Sequence, residues 1–556
     1  MRKSFVKVGF VIAGILVLAG CSQNEVSQVT PVPIAKPAIK HTQKKILETS
    51  DMNDLVNSLT IQEKAAQMTG SLETLVPEEE TYHYLEETVT RTVVFPGNIG
   101  LGVVGDKDSL YKMGEFVGKE NRKAGAIVSF ASVAATSFHP CWGGTFQCYS
   151  DDYKEVYSLG RSYVKGLVST GIMPCLTGFI NTGQGLSREN ISLTEDEIRQ
   201  QLFIFRQLLD AAKDENEEMP VAIQISSCSI NGTKMVENKE LLTDMLRNVM
   251  KFDGIILTKA SDVELINKDS LAEKLASVIN AGVDVISKPS KASDYTAAIV
   301  QAVKMGLLKE KRVNESVTRI LTAKKALGLF SGKGVLQVSE ELDENYANKL
   351  AASLVQKSLV LLKNEKELLP LKKGLTIYVT GPAADNLKAQ CGGLLTEDNK
   401  DQTRKGSTIL QGLQGLEKEN MYTIVTDKKE AKNADVTLLC VGESAYTSEN
   451  GDVETTSLTS EKGLYGNKEA IEEAKELGHK TITLLVAGRH LDINPYIDQW
   501  DSIVMCYLPG SKGDAIANVL AGEETFTGKL TMPWYNSEKE FTVDNILYGK
   551  GYGREY

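Results

Sequence analysis

Between about residue 50 and residue 335, short apolar runs alternate with stretches whose apolar residues recur every three or four positions. The runs include IGLGVV at 99–104, AIVSFAS at 126–132, VAIQIS at 221–226, GIILT at 254–258 and VDVIS at 283–287. Between them lie DDYKEVYSLGRSYVKGLVSTG and KELLTDMLRNVMKF, which carry the helical period. A short run of aliphatic residues reads as a strand buried on both faces, as in a parallel sheet. Strand–helix alternation sustained over this length predicts an α/β fold, a (β/α)₈ TIM-like barrel.

The helical stretch ESVTRILTAKKALGLF closes this unit, and the polar segment that follows predicts a linker at 336–350. A second α/β unit then fills 351–556, with strands expected at TIYVTG (376–381), DVTLLCVG (435–442), TITLLVAG (481–488) and SIVMCYLPG (502–510). Gly442, Gly488 and Gly510 read as turn glycines at strand ends; no phosphate-cradling G-x-x-x-x-G-K-[ST] follows any of them. In barrels and in open α/β sheets alike, ligands gather at the C-terminal ends of the strands. The two units are therefore expected to face one another across a cleft.

The first residues read as a targeting segment. Arg2, Lys3 and Lys7 precede an apolar run at 8–18, too short to span a bilayer, and the small residues before Cys21 resemble a bacterial lipoprotein cleavage site. Residues 1–21 are thus expected to be a signal peptide, Cys21 a lipidated N-terminus, and 22–49 (with Pro31, Pro33 and Pro37) an extended, flexible tether. The expected location is extracytoplasmic, at a membrane, through that lipid. A net charge of −11 argues against nucleic acid as a partner. Seven cysteines remain after Cys21, an odd number; only Cys141 and Cys148 are close enough in a loop-like stretch to be considered for a disulfide. No C-x-x-C spacing occurs and the histidines are scattered, so neither a metal site nor a cofactor is read.

Further segments carry a family resemblance: VVFPGNIGLG, NGTKMVENKELLTDMLRN, AGVDVIS, RVNESVTRILTAKKALGLF, AASLVQKSLVLLKNEKELLPL, GPAADN, AGRHL, LPGSKG and TGKLTMPW. Together they resemble a two-domain family 3 glycoside hydrolase of the β-glucosidase and β-glucan exohydrolase kind. The resemblance implies a barrel followed by an α/β sandwich, with the active site between them. It also implies retaining hydrolysis, which needs one carboxylate as nucleophile and a second carboxyl as acid and base.

The motif positions that would carry this chemistry are substituted. The strand-end pattern G-x-x-x-S/T-D-W, whose aspartate is the nucleophile, reads here Gly254-Ile-Ile-Leu-Thr258-Lys259-Ala260. The sugar-clamping K-H-F becomes Thr177-Gly178-Phe179, and P-R-W-G-R becomes Pro140-Cys141-Trp142-Gly143-Gly144. The glutamate expected after that stretch is Gln147, and the tyrosine of S-Y-x-x-N-G falls at Ser227. ETYHYLEETVTRT fills the place of an aspartate-bearing strand. In the second domain, Leu394 replaces the tryptophan of G-G-W, and Ser448 aligns with the acid/base glutamate, with Glu449 one residue later in YTSENGD.

A cation in the nucleophile's place inverts the electrostatics. A carboxylate ~4 Å from an oxocarbenium contributes about 4 kcal/mol at an effective dielectric near 20, and a lysine reverses that sign. Lys259, Ser448 and Leu394 are expected to line one cavity. Lys259 either faces a ligand or pairs with a neighbouring acid. Glu449 enters the cleft if its loop shifts by one residue, and is otherwise a solvated carboxylate. Asp262 lies three residues past Lys259, too far along the loop to take over its geometry. Trp142 packs under its loop or stacks on a sugar, while Asp452 and Arg489 read as structural hydrogen-bonding groups. Three functions stay open: a hydrolytically impaired pseudoenzyme that binds a β-linked oligosaccharide or a partner protein, an active β-glycosidase using displaced carboxylates such as Glu449, and a scaffold or regulator of an active paralogue.

Overall fold

The computed structural model of the 556-residue chain describes residues 36–75, 91–136, 139–180, 183, 190–331, 342–394, 406–419, 421–536 and 540–556. Within the first unit, β1 (Val128–Ala131), β2 (Met173–Phe179), β3 (Ala222–Ile225), β4 (Ile255–Lys259) and β5 (Val285–Ser287) form one parallel sheet in that spatial order. Thr69 adds a parallel bridge to Ile286 beyond β5. The TIM-like arrangement is thus present, with five strands of its sheet formed among the described residues. In β4, Ile255, Ile256 and Leu257 are all buried, and each such side chain contributes about 2 kcal/mol by leaving water.

One expected strand is a helix. IGLGVV lies in Asn98–Val104, entered from extended Gly97 and closed by left-handed Gly105. Gly102 explains the choice: a Cβ there would sit 1.7 Å from the Tyr149 carbonyl oxygen, so the bare face of this helix turn lies directly on another backbone. KELLTDMLRNVMKF is helical as expected, but Glu240–Val249 is wound with the wider π spacing, and Met250 N donates to Met245 O at 2.9 Å. Part of the segment expected to be a flexible tether, 22–49, is helical. Lys36–Glu48 is a helix whose Ile46 is buried and whose Lys45 pairs with Glu63 at 3.0 Å, so the apolar side chain docks the segment on the domain. Cys21 and the signal segment lie outside the described residues.

Two buried polar groups tie the barrel helices. Asp284, just before β5, accepts from Ser316 at 2.6 Å and pairs with Arg312 (3.3 Å), Arg319 (3.2 Å) and Arg247. Burial alone would raise its carboxyl, but the three arginines outweigh that and hold it below the usual range. Lys324 of helix Glu310–Ala326 is 1 % exposed and donates to Gln67 Oε1 at 2.6 Å. Burial pushes its ammonium from the ordinary 10.5 down to about 7.

The second unit is built on a sheet with six strands among the described residues. Its strands are β6 (Val360–Asn364), β7 (Thr376–Thr380), β8 (Thr423–Val425), β9 (Val436–Gly442), β10 (Lys480–Val486) and β11 (Ser502–Met505), in the spatial order β8-β7-β9-β10-β11-β6. Only β6, on the edge beside β11, runs antiparallel. Apolar clusters lie in separate groups around this sheet, as in a sandwich. The last residues of the segment expected to be a linker, 336–350, are helical instead, because Asp343 caps a helix, Glu344–Ser358. That helix joins the domains: Ala347, Ala351 and Leu354 belong to the barrel core and Val355 to the sandwich core. Among the described residues no helix is long and apolar enough to cross a membrane.

Candidate active site

β4 ends on Lys259, whose backbone is still extended when Ala260 opens the short helix Ala260–Glu264. The aliphatic run ahead of it is anchored in the core, so the ammonium is delivered at the C-terminal tip of the strand. There it forms an ion pair with Glu449, which arrives from the turn Ser448–Asn450 of the second domain. The side chains are 31 % and 56 % exposed. Of the two alternatives read for Lys259, the pairing with an acid is the one seen, and the acid is Glu449 of the second domain.

The loop carrying Ser448 and Glu449 is fixed from both sides. Asp452 Oδ1 accepts from Gly143 N at 2.7 Å, and Val453 N donates to Cys141 O at 3.1 Å, sewing it to the barrel loop at 140–144. Behind it, buried Arg489 donates to Gly451 O at 2.5 Å and, across the domain boundary, to Pro140 O at 3.2 Å. The guanidinium pairs with Glu443 at 2.9 Å and lies over the Tyr446 ring, 4.8 Å from its centroid. Burial penalises the Arg489 charge, and the Glu443 carboxylate outweighs that penalty and holds the group above its ordinary value. Asp452 and Arg489 are therefore structural. Glu443, which follows the last residue of β9, is a site-shaping acid that the sequence reading missed; its strand-end position was the available signal.

Trp142 is 3 % exposed, packed under its loop and not offered to a ligand. Its indole lies against Gly144, where a Cβ would stand 2.2 Å from Cη2. The position that the resemblance gives to an arginine thus has no room for a side chain while Trp142 occupies this space. Thr177 Oγ1 and Ser132 Oγ are 2.8 Å apart on neighbouring strand ends, Gly178 is left-handed, and Ser227 is exposed. The half-buried Ser448 packs with its carbonyl against Gly143. Asp262 turns back to accept from Thr258 at 3.1 Å, and is buried. Gln147 closes a short turn, and its carbonyl accepts from Asn98 Nδ2 at 2.9 Å. The Leu394 side chain and most of ETYHYLEETVTRT lie outside the described part of the structure. Cys141 and Cys148 are separate buried thiols; no disulfide joins them.

A cavity of about 60 Å³ opens nearby, lined by His139, Pro140, Thr145, His490, Pro533 and Tyr535, but Lys259 and Ser448 are not among its walls. His490 is committed to packing there. It stacks on Trp534 (4.4 Å, 8°), bonds Pro533 O at 3.0 Å and Tyr507 Oη at 3.2 Å, and burial pushes it down to about 4. Among the described residues no group of His, Cys, Asp and Glu is placed to hold a metal ion.

Chemically, the tips of β1 to β5 present hydroxyls and lysine. Retaining hydrolysis requires two carboxyl groups about 5–5.5 Å apart across the bond to be broken. Here one carboxylate and one ammonium neutralise each other.

The family description "Glycosyl hydrolase family 3 N terminal domain" matches residues 24–323, and "Glycosyl hydrolase family 3 C-terminal domain" matches 359–556. The chain is 28 % identical over 451 residues to a protein named Thermostable beta-glucosidase B from Acetivibrio thermocellus, covering 78 % of this chain and 57 % of that protein. It is 26 % identical over 525 residues to a Periplasmic beta-glucosidase from Salmonella typhimurium, covering 83 % and 66 %. The chain thus spans under two thirds of the length of these relatives. The crystal structure of a mutant exo-1,3/1,4-beta-glucanase from a Pseudoalteromonas species superposes with a TM-score of 0.76 at 25 % identity, covering 93 % of this chain and 95 % of that one. Beta-glucosidase from Listeria innocua gives 0.76 at 20 % identity, covering 92 % and 83 %, a likeness of fold.

Proposed function

The chain belongs to glycosyl hydrolase family 3, and from that premise we propose that it is a carbohydrate-binding member whose retaining hydrolysis is lost or severely impaired. One observation carries this reading: Lys259, which the motif resemblance puts at the nucleophile's place, ends its strand in an ion pair with Glu449. A lysine beside an oxocarbenium is repulsive where a carboxylate attracts. A positioned general acid is worth roughly 10²–10⁴-fold, and Ser448 supplies no carboxyl. Buried Trp142 and bare Gly144 also leave the expected sugar clamps without their charged or aromatic groups.

The test is binding without turnover. A ligand held only by the folded state at a hundred times its Kd adds about 2.7 kcal/mol of stability, so a β-linked gluco- or xylo-oligosaccharide should raise the melting temperature. Silence across such a panel, extended to acidic sugars, refutes the reading. The presence of Glu449 at the site favours a second reading, hydrolysis through a displaced carboxylate, which turnover lost in Glu449→Gln would establish. The same chain is, on this proposal, exported and lipid-anchored. The support is the basic and apolar N-terminal pattern ending at Cys21. Radiolabelled palmitate should enter the wild type and not Cys21→Ala; equal labelling of the two would contradict the anchor.

A further inference from the structure

The five barrel strand tips share a chemistry that no single substitution reveals. β1 is followed by Ser132, β2 carries Thr177, β3 is followed by Ser226 and Ser227, β4 ends on Lys259, and β5 ends on Ser287. Lys259 is in register with Ser287, and the next residue, Lys288, is exposed. A second lysine thus follows the tip of the adjacent strand, while the Ser226 and Ser287 hydroxyls are buried and donate to the carbonyls of Ile180 and Thr258, which leaves Ser132, Thr177 and Ser227 as the hydroxyls open at these tips. None of these tips bears a carboxylate, and Asp262 is turned away to Thr258. The acid on Lys259 comes from the other domain, on a side chain that is 56 % exposed, and a pair this open to water is weakly held.

Resting on the carbohydrate-binding reading, we infer that the site takes a sugar bearing a carboxylate, a hexuronate, whose carboxylate exchanges with Glu449 on Lys259. The present occupant of the ammonium is itself a carboxylate, so a uronate presents the same group at the same place. Lysine suits the exchange, because its compact charge accepts a carboxylate without the two-pronged geometry an arginine demands. The hydroxyls of Ser132, Thr177 and Ser227 both donate and accept, as sugar hydroxyls require. Glu449 then acts as an internal competitor that keeps Lys259 paired when the site is empty.

The experiment is a calorimetric or NMR titration of the whole chain with methyl β-D-glucuronide and methyl β-D-glucoside, which differ only in the carboxylate. The wild type should bind the glucuronide more tightly. Glu449→Gln, by removing the competitor, should tighten the glucuronide about two- to five-fold and leave the glucoside unchanged. Lys259→Met should erase the preference, and added salt should weaken the glucuronide selectively. Equal glucuronide binding by the wild type and Lys259→Met would overturn the inference. Binding of the glucoside with no binding of the glucuronide overturns it too, while leaving the carbohydrate reading intact. Failure of both sugars with all three proteins sinks the two together.

Discussion

Replacing Lys324 by methionine should stabilise the barrel. Lys324 is 1 % exposed, and it donates its hydrogen bond to Gln67 Oε1, a neutral group. Burial moves its ammonium from 10.5 to about 7, which corresponds to a penalty on the charged form of roughly 5 kcal/mol. Methionine fills similar space without charge, but it leaves the buried Gln67 oxygen without that donor, at a cost of about 1–3 kcal/mol. The expected net gain is about 2 kcal/mol at neutral and lower pH. The pH dependence has a definite sign. Between about 7 and 10.5 the unfolded lysine holds a proton that the folded one has released, so wild-type stability rises with pH through that window. Lys324→Met should be flat over the same range. Urea unfolding at a series of pH values, compared at constant m-value, reads both quantities. A variant less stable than the wild type at neutral pH, or one with the same slope, would refute the argument.

Asp284→Asn should destabilise the barrel by about 3–5 kcal/mol, since it leaves three arginines around a neutral group. Because the folded carboxyl sits below its ordinary value, its contribution is present above the usual carboxylate range and is lost as pH falls; acid titration of stability should be shallower in the variant. Gly144→Ala should cost about 1–3 kcal/mol through the clash with Trp142, and noticeably less in a Trp142→Leu background, read by a double-mutant cycle. Arg489→Met strands the Glu443 carboxylate in the interior and should cost about 3–5 kcal/mol by denaturant unfolding, with faster hydrogen exchange in the loop at 446–453.

Much of the scaffold was legible because its signals are local. FDGIILTKASD yields β4 with Lys259 at its tip, as the abrupt end of the aliphatic run implies. IGLGVV misled because an apolar run of this length carries no period; the glycine that lies on the Tyr149 backbone decides for helix, and that contact is invisible in sequence. Edge strand β6 was hidden inside a motif that reads equally as the end of a helix. The sequence offers candidate site residues one at a time but not the pairs they form. Lys259 and Glu449 are 190 positions apart and meet only because the domains dock, and Gln67 with Lys324, or Asp284 with its arginines, are products of packing in the same way.

The central claim is that Lys259, held by Glu449, stands where hydrolysis would need an anion. Its most direct test is aryl-glycoside hydrolysis by the wild type, Lys259→Ala and Glu449→Gln, using β-glucosides, β-xylosides and β-N-acetylglucosaminides. The account predicts no release from the wild type above the Lys259→Ala level. Clear wild-type turnover that disappears in Glu449→Gln would contradict it.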